Sequence, residues 1–149
     1  MRTVPLLAIA SLTFGLAACR GKVLGTAALT GPGTTDVTFT PTGAPVELWA
    51  DTDGKWTGGE HSHLPANYEI DVTAGGAKVS HVSCATTGGG VSVCGTRIST
   101  GSTSSGDCEV KLECTLPTTP TGPLTLHVTG STGKGVIEVK KMSLNIREK

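Results

Sequence analysis

Polar and apolar side chains alternate along several short stretches of this chain, the two-residue period that turns one face of a β-strand to a core and the other to water. Tyr68-Glu69-Ile70-Asp71-Val72-Thr73 alternates without error, with Tyr, Ile and Val on one side and Glu, Asp and Thr on the other. Gly75-Gly76 follows, and two residues that accept positive φ predict a tight hairpin returning through Lys78 to Cys84. Leu124-Thr125-Leu126-His127-Val128-Thr129 repeats the pattern with His127 on the solvent side. Towards the C-terminus Ile137 and Val139 share one phase, while Met142, Leu144 and Ile146 share the other. A β-bulge at Lys140-Lys141 would return all five to the core. Shorter signals predict strands around 23–30, 36–40, 46–50, 91–98 and 108–116, with exposed loops at 100–107 and 117–123.

Glycine, threonine and serine punctuate these runs, and 21 of the 149 residues are glycine. No helical periodicity competes with them. The expected fold is therefore all-β, a single antiparallel β-sandwich over residues 23–149, without repeats or a second domain. About 130 residues suffice for a two-layer core of this kind. Twelve Lys and Arg balance twelve Asp and Glu. Without a basic stripe to neutralise phosphates, nucleic acid is not an expected partner.

The first residues depart from the pattern. Arg2 precedes an apolar run over 4–16, shorter than the roughly 20 residues of a membrane-spanning helix, and small residues then lead to a cysteine in Leu16-Ala17-Ala18-Cys19. This segment resembles the lipobox signal peptide of bacterial lipoproteins. The resemblance implies a signal peptide over 1–18, cleavage before Cys19, diacylglycerol and a fatty acyl chain such as palmitate on Cys19, and a short tether over 19–22. Two or three acyl chains, at about 0.8 kcal/mol per buried CH2, hold a membrane where one alone would not. Arg20 stands where an aspartate retains such proteins in the inner membrane, so the resemblance implies the outer membrane. An ordinary secretory peptide that leaves Cys19 as a spare thiol is the alternative. No cofactor beyond the covalent lipid is expected. The alternating strands and bulged last strand also resemble immunoglobulin-like and jelly-roll sandwiches in general, a likeness that carries no function.

Four further cysteines, Cys84, Cys94, Cys108 and Cys114, read as two disulfides in an exported domain. If residues 108–114 form one strand, Cys108 and Cys114 lie roughly 20 Å apart and cannot pair. A hairpin of 91–98 with 108–116 sets Cys94 opposite Cys108 and brings Cys114 near Cys84. The favoured pairing is Cys94–Cys108 and Cys84–Cys114. A zinc or redox site is disfavoured by the absence of any Cys-x-x-Cys spacing.

Candidate chemistry gathers at 46–68, which holds both tryptophans and the only tyrosine. Val46, Leu48 and Ala50 share one face, so Glu47, Trp49 and Asp51 share the other. An Asp53-Gly54 hairpin turn would place Asp51 opposite Trp56, giving a possible binding face of Trp49, Asp51, Trp56 and Tyr68 for a polysaccharide or a protein partner. The competing arrangement, favoured in a mature chain with so few aromatics, buries the rings under a loop or by inverted phase. Residues 49–60 also overlay an EF-hand-like calcium loop at Asp51, Asp53, Gly54 and Glu60, although Trp49 cannot fill its first position. Glu60, His61 and His63 could hold zinc or copper. Metal binding through Asp51, Asp53, Glu60, His61 and His63 is the alternative reading, behind a plain Asp-Gly turn with solvated histidines. His81 and His127 are assigned to strand faces without further role. Gly88-Gly89-Gly90 lacks the lysine and helix of a phosphate loop. With no nucleophile elbow or metalloprotease helix either, the expectation is a non-catalytic binding or structural protein of the cell envelope, anchored to the outer membrane by its lipid.

Overall fold

The computed structural model of the protein describes residues 21–57, 61–116 and 122–149. The expected signal peptide and Cys19, the candidate ligand Glu60 and most of the loop at 117–123 lie outside the described residues. Among the described residues are nine strands: β1 (Lys22–Ala27), β2 (Gly33–Phe39), β3 (Val46–Thr57), β4 (Ala66–Ala74), β5 (Ala77–Ala85), β6 (Ser92–Thr100), β7 (Thr103–Lys111), β8 (Leu124–Thr132) and β9 (Val136–Glu148). They form two antiparallel sheets, a five-stranded one in the order β1-β9-β3-β7-β6 and a four-stranded one in the order β2-β8-β4-β5. The chain is an all-β sandwich with two disulfides, Cys84–Cys114 and Cys94–Cys108, the pairing that the cysteine spacing favours.

Strict alternation drives the four-stranded sheet. Tyr68, Ile70 and Val72 from β4 meet Leu124, Leu126 and Val128 from β8 in the interior, all buried. Burying each such side chain contributes roughly 1.5–3 kcal/mol, before the cost of ordering the chain. Gly75 and Gly76 both take positive φ, 58° and 81°, at the β4–β5 hairpin, where a Cβ would be strained. From the other sheet, Leu48, Ala50 and Trp56 of β3 and Met142, Leu144 and Ile146 of β9 close the core.

β9 is bulged where its apolar phase changes. Asp53 pairs with Lys141 but Gly54 with Val139, so Lys140 is the extra residue, and Val139 packs against the core. A second irregularity follows, because Lys55 pairs with Glu138 and Trp56 with Val136. Ile137 falls in that gap and is 55% exposed, so one bulge does not return all five apolar residues to the core.

Three local expectations are corrected. Asp53-Gly54 is not a turn, since β3 runs unbroken through it for twelve residues. Gly54 is required for a close approach instead: a Cβ there would lie 2.3 Å from the Glu138 carbonyl oxygen and 2.5 Å from Leu64. The loop expected at 100–107 is largely strand β7, a polar stretch in which small Ser104 sits opposite buried Trp56. Conversely β7 stops at Lys111, and after a last main-chain bond from Leu112 to Leu48 residues 113–116 leave the sheet to reach β5 through Cys114.

Candidate functional site

The candidate aromatic binding face does not form, and the favoured alternative, burial of the rings, is what the structure shows. Tyr68 and Trp56 have no exposed surface; the Tyr68 hydroxyl donates to the Met142 carbonyl (3.2 Å) and the Trp56 indole N–H to the His61 carbonyl (3.2 Å). Burial, reinforced by the Asp51 charge, pushes the Tyr68 phenol well above its ordinary range. Trp49 does have the outward phase read from the sequence, but it is only 5% exposed. It lies between Lys111 of β7 and Asn145 of β9, with the Arg147 guanidinium 5.7 Å from its ring centroid. Its N–H donates to Glu47, which also accepts from Lys111 (2.6 Å), and the Lys111 contact holds the Glu47 carboxyl below its usual range. Arg147 in turn donates to Glu109 (2.6 Å). Asp51 and Trp56 occupy opposite faces of β3, because no turn separates them.

Among the described residues the metal alternative is not assembled either. Extended β3 runs through the stretch that overlays a calcium loop. Asp51 and Asp53 point outward from it, and Asp51 accepts from Lys141 (3.0 Å). His63 is buried with both ring nitrogens engaged, Nε2 on the Thr86 carbonyl (2.7 Å) and Nδ1 on the Ser62 hydroxyl (3.0 Å). Since a carbonyl only accepts, Nε2 carries the proton. Among the described residues no group of three or more His, Cys, Asp or Glu is placed to hold a metal ion.

What the outer face of the five-stranded sheet offers is a groove. Two depressions of about 280 Å³ each adjoin there and share Asp107 and Lys141 in their walls. Asp53 and Asp107 stand directly opposite in the β3–β7 register, a like-charge pairing that costs stability. Lys141, paired with Asp51 and near both of these carboxylates, has its ammonium held above the ordinary range, chiefly by the Asp51 hydrogen bond. Val93 and Ile98 of β6 form an exposed apolar rim. The sequence missed this site because Asp107 lay in an expected loop and the pairing of β3 with β7 is not local.

The outer face of the four-stranded sheet keeps one register across its strands except at the β4–β5 hairpin, where Val72 pairs with Ser80 but Thr73 with Lys78, leaving Val79 as an extra residue. Asp36, His127, Asp71 and His81 stand in register across β2, β8, β4 and β5, one alternating acid–imidazole row. His127 contacts Asp36 (2.5 Å), and His81 bridges Asp71 (2.6 Å) and Glu69 (2.9 Å). Hydrogen bonds to those two carboxylates raise the His81 pKa, and those from Lys78 and His81 lower that of Asp71. Ser83 donates to Glu69 (2.7 Å), not to the imidazole, so the histidine is not interposed between acid and hydroxyl as a nucleophilic triad requires. Alternation assigned both histidines to strand faces; the row itself appears only once strand order is known.

Compared with protein-family models, curated proteins and solved structures, the chain finds no match.

Proposed function

We propose that this chain is a lipid-anchored protein of the bacterial outer membrane whose sandwich serves as a non-catalytic binding module, meeting an envelope polysaccharide or protein at the groove of the five-stranded sheet. The observation that carries the binding reading is the juxtaposition of Asp53 with Asp107 beside Lys141 and an apolar rim, in a depression of the outer face. Asp107 accepts from the Thr96 main-chain N–H (3.1 Å) at the β6 bulge, while Asp53 faces it at the cost that opposed like charges carry. Carboxylates and an ammonium around a shallow depression suit hydroxyl- or amine-bearing ligands. Two cysteine pairs support an oxidising compartment. The lipid anchor rests on the Leu16–Cys19 resemblance, and β1 begins three residues after Cys19, a tether of about 10 Å.

Two measurements test the parts separately. Palmitate labelling in a bacterial host is expected for the full chain and is lost in Cys19→Ser; equal labelling of the variant overturns the anchor. Cosedimentation with purified envelope polysaccharide, and cross-linking in intact cells, are expected to weaken about tenfold or more in Asp53→Asn/Asp107→Asn. Removing two opposed charges should leave folding intact, so undiminished capture by the double variant rejects the groove.

A further inference from the structure

We propose that β6 is a docking edge for a second copy of this chain, the two β6 strands pairing antiparallel about a twofold axis so that both five-stranded sheets become one. The other sheet edges are protected. β1 and β2 lie side by side, with Gly25 against Val37 and Phe39, and close one flank. β5 is also exposed, with Val79 at its surface, but it carries the charged Lys78 and His81, both tied to Asp71 of β4, is bulged at Val79, and is bridged to residue 114 by its disulfide. On β6 every residue but Cys94 is exposed, Val93 by 39% and Ile98 by 60%, and Arg97 is the one charge. A nine-residue edge with open main-chain groups and apolar side chains is a template for another strand.

The backbone defines the register. Lys111 N–H donates to the Val91 carbonyl and Leu112 N–H to that of Leu48, so odd-numbered residues of β7 turn their main-chain groups to β6 and even-numbered ones to β3. Val93 and Ile98, opposite Glu109 and Ser105, are therefore engaged with β7. Ser92, Cys94, Arg97 and Ser99 face the open edge. Setting Ser92 opposite Ser99 of the second copy, and Cys94 opposite its Arg97, matches open residues with open residues throughout and allows up to about eight main-chain hydrogen bonds. The same register places Val93 opposite Ile98 of the second copy at a non-hydrogen-bonded position, where cross-strand side chains come closest. Gly95-Thr96, the bulge of β6, falls on the axis in both copies and so leaves the pairing in phase. Arg97 faces a cysteine, so the only charges on the edge do not oppose each other. Charge, main-chain polarity and apolar contact are all self-complementary, as a twofold interface demands.

Pairing would also set two grooves side by side, because Val93 and Ile98 belong to their rims. The pairing itself does not depend on what the groove binds. Sedimentation of the purified full chain, without any ligand, at tens of micromolar is expected to give twice the chain mass. Ile98→Lys, at an exposed position, should weaken association about tenfold or more, and Ile137→Lys, equally exposed on β9, should not. A photo-cross-linker at position 93 should attach to the region of residue 98 in a second copy. A monomer at all concentrations, association indifferent to Ile98→Lys, or cross-linking from position 93 to a different protein would each overturn the proposal.

Discussion

On the four-stranded sheet the outward residues line up across all four strands, Asp36-His127-Asp71-His81 in one row and Thr34-Thr129-Glu69-Ser83 in the next. On the five-stranded sheet the same layer holds Trp49 sunk beneath Arg147, two interruptions in β9, one in β6 and a facing pair of aspartates. The first face is what a regular pleat gives when its polar side chains pair with their neighbours, row by row. The second departs from that regularity at each point that makes it concave. Bulges and close glycines tilt side chains out of their rows, and a groove opens where carboxylates no longer find a cation each. The proposed binding groove lies on the less regular of the two faces.

The sharpest way to break this contrast is to compare the two tryptophans of β3. Trp56 fills the interior, and Trp56→Ala should cost about 3–5 kcal/mol in urea unfolding. Trp49 is nearly as buried but lies under a charged roof on the outer face, so Trp49→Ala should cost about 2 kcal/mol. Equal losses would mean that the roof packs as a second core and that the outer layer is no accessible surface. The disulfides come next. Chain entropy gives a somewhat larger loss for the bridge spanning 30 residues than for the one spanning 14, between about 3 and 4 kcal/mol each. The double serine variant at Cys84 and Cys114 should also loosen residues 112–116 in hydrogen exchange, whereas that at Cys94 and Cys108 should loosen β6 alone. Exchange that spreads into β4 or β9 in the latter case would contradict β6 as a separable edge.

Where alternation was clean, the sequence was enough. Tyr68 to Thr73, Leu124 to Thr129 and the Gly75-Gly76 hairpin are found where the pattern puts them, and the parity change at Lys140 marks a real bulge. The pairing of Cys94 with Cys108 followed from a hairpin whose existence was legible, though its strands were set a few residues off. Asp53-Gly54 misled because an Asp-Gly pair is the commonest turn signal, yet here the glycine answers to the backbone of β9, some 84 residues further along the chain. Trp49 has the outward phase that alternation predicts and is buried all the same, since the roof over it comes from β7 and β9. Neither the groove nor the acid–imidazole row could be read, because both depend on which strands are neighbours. That information lies in the core packing of distant segments rather than in any local run.

The smallest expected effect separates the two faces by pH. His81 gains a proton more readily when folded than its ordinary value of 6.5, owing to its hydrogen bonds with Asp71 and then Glu69. A raised folded pKa contributes stability that is fully present below the unfolded value and is lost as pH rises through the folded one. Asp71 is shifted the other way from its ordinary 3.8, by Lys78 and then His81, so its contribution is present above that value and is lost in acid. Both partners of the contact are thus charged in mildly acid solution, and the unfolding midpoint of the native chain relative to His81→Gln should rise as pH falls from 8 to 5.5. The groups lie on an exposed surface, so the gain is small and shrinks with added salt. On the other face Lys141 stays charged across the same interval, its pKa being held up by Asp51, and the midpoint difference for Lys141→Met should be flat with pH. A flat difference for His81→Gln as well would leave the row as geometry without energetic coupling, and a pH-dependent one for Lys141→Met would remove the contrast between the two faces.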